Sequence, residues 1–206
     1  MIAARGARLA VFALAAAPGL SLALAFAGGA LATPYRTILH DTGLWSMRLL
    51  TLGLLLSPLA RLTGSPVFAA PRRMIGLFAA GYAFAHGWAW CRQYGYDWAF
   101  LLGELPRAYL LAGLAALIPL VPLVATSSAV ARAWLGESWM RIHRLALPIA
   151  VLAATHFLLS RALPPREALA HAMLIALALG ERVWSARRTA RPGEAAKPVT
   201  TRGAKG

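Results

Sequence analysis

The sequence predicts an all-α protein, a polytopic membrane helical bundle of about six transmembrane helices. Composition points there first: of 206 residues, 59% are hydrophobic and only 14% charged. Soluble domains carry roughly a quarter charged residues. The second observation is spacing, because the charges cluster between long apolar runs instead of punctuating them. A helix that crosses the hydrocarbon core needs about 20 mostly apolar residues. Runs this long without alternation exclude a transmembrane barrel, the other structure that lipid tolerates.

Six runs are expected to form spans: 9–30, 44–60, 74–91, 108–125, 145–160 and 168–184. The first has two readings. Arg5 and Arg8 followed by an apolar run and Ala30-Leu31-Ala32 resemble a secretory signal. The run is longer than the usual apolar region of about 7–15 residues, which favours a retained helix bent at Pro18-Gly19. The third span ends among Trp88, Trp90, Tyr94, Tyr96 and Trp98, and Trp134 and Trp139 lie between the fourth and fifth. Such aromatic belts mark membrane interfaces and do not by themselves imply a substrate site. From Arg187 the chain turns basic and poor in apolar residues, the composition of a disordered tail that can touch anionic headgroups.

Orientation follows from the basic residues. With the N-terminus inside, 15 of the 21 Lys and Arg fall on the inner side, counted along the six runs. Both termini are therefore expected to be cytoplasmic. The net charge of +14 is explained by topology. No basic helix interleaved with aromatics is present, so nucleic acid is not an expected partner.

Chemistry in this chain rests with histidine. Ionisable groups inside membrane helices are costly and usually functional. His86 lies 13 residues after Arg73 at the inner start of the third run, and His156 lies 13 residues after His143 at the inner start of the fifth. Thirteen helical residues rise roughly 20 Å, so His86 and His156 reach the same depth near the outer side. Neighbouring helices at that depth would present one imidazole to each face of a heme iron. A pair of histidines that only hydrogen-bond between helices is the competing interpretation. Ala83 and Ala153, each three residues before its histidine, leave room on the same face, and Ala79, Gly87 and Thr155 are also small.

His143 has no histidine level with it, because Arg73 stands at that place. It either serves a second heme with a different sixth ligand or lies at the interface near headgroups or a quinone. A 13-residue step also turns a helix by roughly 220°, so His143 and His156 do not share a face unless Pro148 kinks the segment. His40 reads as a solvated residue of the first outer loop, and His171 as structural, the alternative being a spare ligand or proton carrier. Cys91 is the one cysteine, so an intramolecular disulfide and a CxxCH attachment are both absent. Nucleotide-binding, hydrolase and zinc-protease signatures are missing too.

Several stretches together resemble a known family. They are Trp45-Ser46-Met47-Arg48, Ser57 to Gly64, Arg72 to Leu77 with Tyr82 and His86, Ala125 to Ser128, and Trp139 to Leu145 with His156-Phe157. Over roughly residues 40–165 the chain is similar to the MsrQ (YedZ) family, heme-binding membrane subunits of a periplasmic methionine sulfoxide reductase system. The wider ferric reductase-like transmembrane family shares the histidine-bearing helices. The resemblance implies a heme-binding domain over 1–186 with a basic cytoplasmic tail over 187–206, in a bacterial inner membrane. It implies heme b, and FMN as a second cofactor with no motif here to assign its contacts. It implies electrons drawn from the quinone pool or a cytosolic flavin reductase. They would pass to a periplasmic molybdenum-containing (MsrP-like) catalytic subunit that repairs oxidised proteins. His86, His143 and His156 match the family's heme-ligand histidines, and Arg73 occupies the place of a further histidine found in larger relatives, as a cofactor-binding candidate. The alternative is a stand-alone transmembrane ferric or cupric reductase.

Overall fold

The computed structural model describes residues 2–160 and 165–189, which are helical, with short connections and no strand among them. The helices are α1 (Ile2–Ala27), α2 (Pro34–Thr63), α3 (Arg72–Gln93), α4 (Trp98–Glu104), α5 (Ala108–Leu117), α6 (Leu120–Ala125), α7 (Ala129–Leu135), α8 (Glu137–His143), α9 (Ala146–Ser160) and α10 (Pro165–Thr189). Each predicted run coincides with a helix or a pair of them. The fourth is split into α5 and α6 at Pro119, whose ring removes a backbone donor.

Among the described residues, four stretches are long and apolar enough to cross a membrane: Gly6–Ala27, Pro34–Thr63, Ala108–Ala125 and Glu137–Ser160. Helices α3 and α10 have the length, at 22 and 25 residues, but carry the arginines and histidines that dilute their apolarity. The connections hold more structure than the sequence suggested. Asp97 caps α4 by accepting from the Phe100 N–H at 3.1 Å, and Ser128 caps α7 by accepting from the Ala131 N–H at 3.0 Å. Residues 161–164 and 190–206, including most of the predicted tail, lie outside the described residues.

Two helix pairs, α2 with α3 and α5 with α9, are the closest-packed parts of the bundle, and α10 packs against both α2 and α9. Helix α2 supplies both cores. Leu49 and Leu56 join Ala15, Ile75, Ala79 and Tyr82, while Met47 and Leu54 join Ala150, Ala154, Ile175 and Ala178. Each pair is seven residues apart, two turns of one helix face. Alanines at the contacts let backbones approach closely, as packing in lipid favours. On the outside, Leu14 and Leu24 of α1 stay 74% and 65% exposed, a surface for acyl chains rather than water.

The Pro18-Gly19 step, where a bend is expected, has a partner on α3. Pro18 lies inside the continuous helix, and the Tyr82 hydroxyl of α3 enters the ladder beside it, accepting from the Gly19 N–H at 2.8 Å and donating to the Ala15 carbonyl at 2.8 Å. A side chain inserted this way replaces the bond those two groups would otherwise share. Gly19 is required there, since a Cβ would stand 2.9 Å from the Tyr82 hydroxyl.

Candidate functional site

Between the two helix pairs lies a cavity of about 470 Å³, and both His86 of α3 and His156 of α9 line it. Their ring centres are 5.9 Å apart and their planes cross at 81°. The equal-depth arithmetic thus brings together two residues 70 positions apart in the chain. Ala79, Ala83, Gly87 and Ala153 also line the cavity, whose surface is mostly apolar. Thr155 does not. It is exposed and bonds back to the Val151 carbonyl, because the residue beside His156 is turned about 100° away.

Each imidazole is held from behind in the same way. His86 Nδ1 lies 2.7 Å from the Leu39 carbonyl, and His156 Nδ1 lies 2.7 Å from the Tyr109 carbonyl. A carbonyl only accepts, so Nδ1 carries the proton and donates in both rings. That leaves Nε2 as the nitrogen with a free lone pair, oriented and made more basic by the bond behind it.

Two glycines make these bonds possible. A Cβ on Gly43 would stand 2.6 Å from His86 Nδ1, and a Cβ on Gly113 would stand 2.6 Å from His156 Nδ1. The rings therefore lie against bare helix backbone. The two arms are offset by one constant: residues 39 and 109, 43 and 113, and 86 and 156 are each 70 apart. The chain repeats a unit of carbonyl, glycine and histidine. Sequence reasoning missed both glycines, although the constant offset was there to be found.

Two imidazoles bound on opposite sides of one metal at about 2.0 Å place their ring centres roughly 6 Å apart. The observed separation is already in that range. No group of three or more His, Cys, Asp or Glu side chains suited to a bare metal ion occurs among the described residues. Two imidazoles facing an apolar cavity fit a metal whose remaining ligands come with it, as a porphyrin provides. The volume also falls within the roughly 300–1,000 Å³ usual for cofactor sites.

The other predicted residues lie elsewhere. His143 ends α8, and a turn at Arg144-Leu145 separates it from α9. Its ring stacks on Trp139 with centres 4.0 Å apart, and its Nε2 lies 3.2 Å from the Thr126 hydroxyl. That hydroxyl donates to the Pro122 carbonyl at 2.6 Å, so it accepts from His143. His143 is not among the residues lining the cavity. Arg73, exposed in the first turn of α3, does not line it either. His171 lies 2.9 Å from the Thr51 hydroxyl, which itself donates to the Met47 carbonyl, and so ties α10 to α2. His40 departs from expectation. It belongs to α2 and lines the cavity, because Pro34 starts that helix ten residues before the apolar run begins.

Comparison with known proteins adds kinship to this geometry. Residues 42–154 match the family described as ferric reductase like transmembrane component. The match spans Gly43, His86, Gly113 and His143 and stops two residues short of His156. A protein-methionine-sulfoxide reductase heme-binding subunit MsrQ of Xanthomonas campestris pv. campestris is 40% identical over 177 residues, 83% of this chain and 81% of its own length. Proteins of the same name from Xanthomonas euvesicatoria pv. vesicatoria and Polaromonas naphthalenivorans are 39% and 35% identical, over 83% and 75% of this chain and 81% and 73% of theirs. No solved structure matches the chain.

Proposed function

The chain belongs to the MsrQ family within the ferric reductase-like transmembrane components, and from that premise we propose that it is a heme b electron-transfer subunit of the bacterial inner membrane. His86 and His156 are the proposed axial ligands. The observation that carries this reading is their pairing across one apolar cavity, each with Nδ1 bound to a carbonyl and Nε2 left free. Heme bound there supplies a one-electron carrier whose potential depends on axial ligands and burial. The chain's own residues orient the imidazoles, fix their tautomers and exclude water from the iron's surroundings.

In this proposal the chain crosses the membrane six times, with both termini cytoplasmic. The docking of α1 on α3 through Tyr82 supports keeping the first segment in the bundle. Electrons enter from the quinone pool or a cytosolic flavin reductase and leave to a periplasmic molybdenum-containing subunit that reduces methionine sulfoxide in oxidised proteins. FMN belongs to the proposal only through the family resemblance, with no residue assigned to it. His143 and Arg73 are not among the residues lining this cavity, so the axial pair proposed for it is His86 and His156, and a role for His143 belongs to a second heme with a different sixth ligand.

Purified protein should contain noncovalent heme with sharp reduced α and β bands. His86→Ala and His156→Ala should each abolish the bis-imidazole spectrum, and reduced wild type should reoxidise on mixing with the periplasmic subunit. Unchanged spectra in both variants would remove the ligand assignment. The family match favours one second reading, a reductase of free ferric or cupric chelates. Rapid turnover of chelated metal without any periplasmic subunit would select it.

A further inference from the structure

We propose that the outer mouth of the histidine cavity is a carboxylate cradle, in which Arg36 at the start of α2 and Gln93 at the end of α3 hold the two propionates of the tetrapyrrole. The inference rests on the heme reading above and adds the orientation of the ring.

Apart from the two paired histidines, the basic side chains lining the cavity are Arg36 and His40, both in the first two turns of α2. Arg36 lies three residues before Leu39, whose carbonyl seats His86, which places it about 4.5 Å along the helix axis towards the outer end. It is exposed and makes no ion pair among the described residues. The neighbouring basic side chains differ. Arg107 is paired with Glu104 at 2.7 Å, and His40 Nδ1 lies 3.4 Å from Asp41. Gln93 lines the same mouth, and its side-chain oxygen is buried with no partner. An amide with no partner to fix it can turn its NH2 into that position and donate.

The inner end of the cavity offers no such groups. Gly76, Leu50 and Leu120 line it, and the Ser46 hydroxyl is already donated to the Ala79 carbonyl at 2.9 Å. A carboxylate buried there would lack both a cation and a donor, which is strongly unfavourable. The 70-residue repeat makes the asymmetry plain. Its counterparts to Arg36 and His40 are Pro106 and Leu110, so the arms that seat the two imidazoles are alike while only α2 brings charge to the mouth. The ring therefore sits with its carboxylate edge outward and leaning towards α2.

The test compares full-length wild type with Arg36→Ala, Arg36→Lys and Gln93→Leu, each purified with its heme. Release is followed by transfer to excess apomyoglobin, and the propionate bending modes are read by resonance Raman. Arg36→Ala should release heme about tenfold faster or more, the scale of one charge-assisted hydrogen bond. Arg36→Lys should restore part of the loss, Gln93→Leu should show a smaller gain in rate, and the bending modes should shift in both Arg36→Ala and Gln93→Leu. The low-spin spectrum should persist in all, because both imidazoles remain. In protein loaded with heme dimethyl ester, Arg36→Ala should change nothing further. Equal release rates and unshifted bending modes in Arg36→Ala would overturn the orientation while leaving the ligand pair standing. A wild type without heme, or a low-spin spectrum that survives His86→Ala and His156→Ala, would instead sink the underlying reading.

Discussion

Replacing Gly113 by alanine adds one carbon where the His156 ring already stands. The new Cβ would lie 2.6 Å from Nδ1, 3.0 Å from Cε1 and 3.2 Å from Cγ. Relaxed contacts of this kind lie near 3.5 Å or beyond, so the ring must retreat by about 1 Å. Its hydrogen bond to the Tyr109 carbonyl, now 2.7 Å, would lengthen past the range of a real bond. Losing the partner that orients a metal-bound histidine typically weakens binding about 10- to 100-fold, which corresponds to roughly 1.4–2.8 kcal/mol. The direction opposes ordinary helix behaviour, since glycine to alanine within a helix normally stabilises by about 1 kcal/mol. Gly180→Ala in α10, where nothing lies within 4 Å, is the control. The assay is the heme-to-protein ratio by pyridine hemochrome, followed by the rate of heme loss. Gly113→Ala should lose heme at least tenfold faster than wild type, with Gly180→Ala unchanged. If Gly113→Ala loads fully and holds heme as long as Gly180→Ala does, the seating of His156 against bare backbone is refuted.

Further outcomes follow from neighbouring contacts. Gly43→Ala meets the His86 ring at the same 2.6 Å and should lower heme retention by a similar factor, read in the same assay. Tyr82→Phe removes the hydroxyl that ties α3 to α1, although the Gly19 N–H and Ala15 carbonyl can then bond each other, and should destabilise the bundle by about 1 kcal/mol in a reversible denaturation assay, with heme content unchanged at low denaturant. His171→Gln should keep the full low-spin spectrum, because His171 bonds Thr51 and lies outside the cavity lining. A lost axial-ligand signature there would reassign the site.

The bundle was readable because lipid imposes long apolar runs, and each of the six expected runs coincides with helix. The meeting of His86 and His156 was readable for a related reason. Helical rise is regular, so equal distances from Arg73 and His143 give equal depth. The same regularity argued against His143 sharing their face, and the break at Arg144-Leu145 gives it a separate setting beside Trp139. What escaped the sequence reading depends on shape. Gly43 and Gly113 look like ordinary small residues until the rings behind them are placed. The place of His40 in α2 was missed because hydropathy sees only the apolar part of a helix, whereas Pro34 extends it outward past the lipid. Short helices α4, α7 and α8 carry too few residues for periodicity, although Asp97 and Ser128 were caps in plain view.

The central claim is that the imidazoles of residues 86 and 156 bind one iron from opposite sides with their planes crossed. Low-temperature electron paramagnetic resonance of the ferric protein tests it most directly. With rings crossed at 81°, the two orbitals of a bound iron that interact with the imidazole π systems would be nearly equal in energy. The account predicts a strongly anisotropic low-spin signal that vanishes in His86→Ala and in His156→Ala. A high-spin signal in wild type, or a low-spin signal that outlasts either substitution, would contradict it.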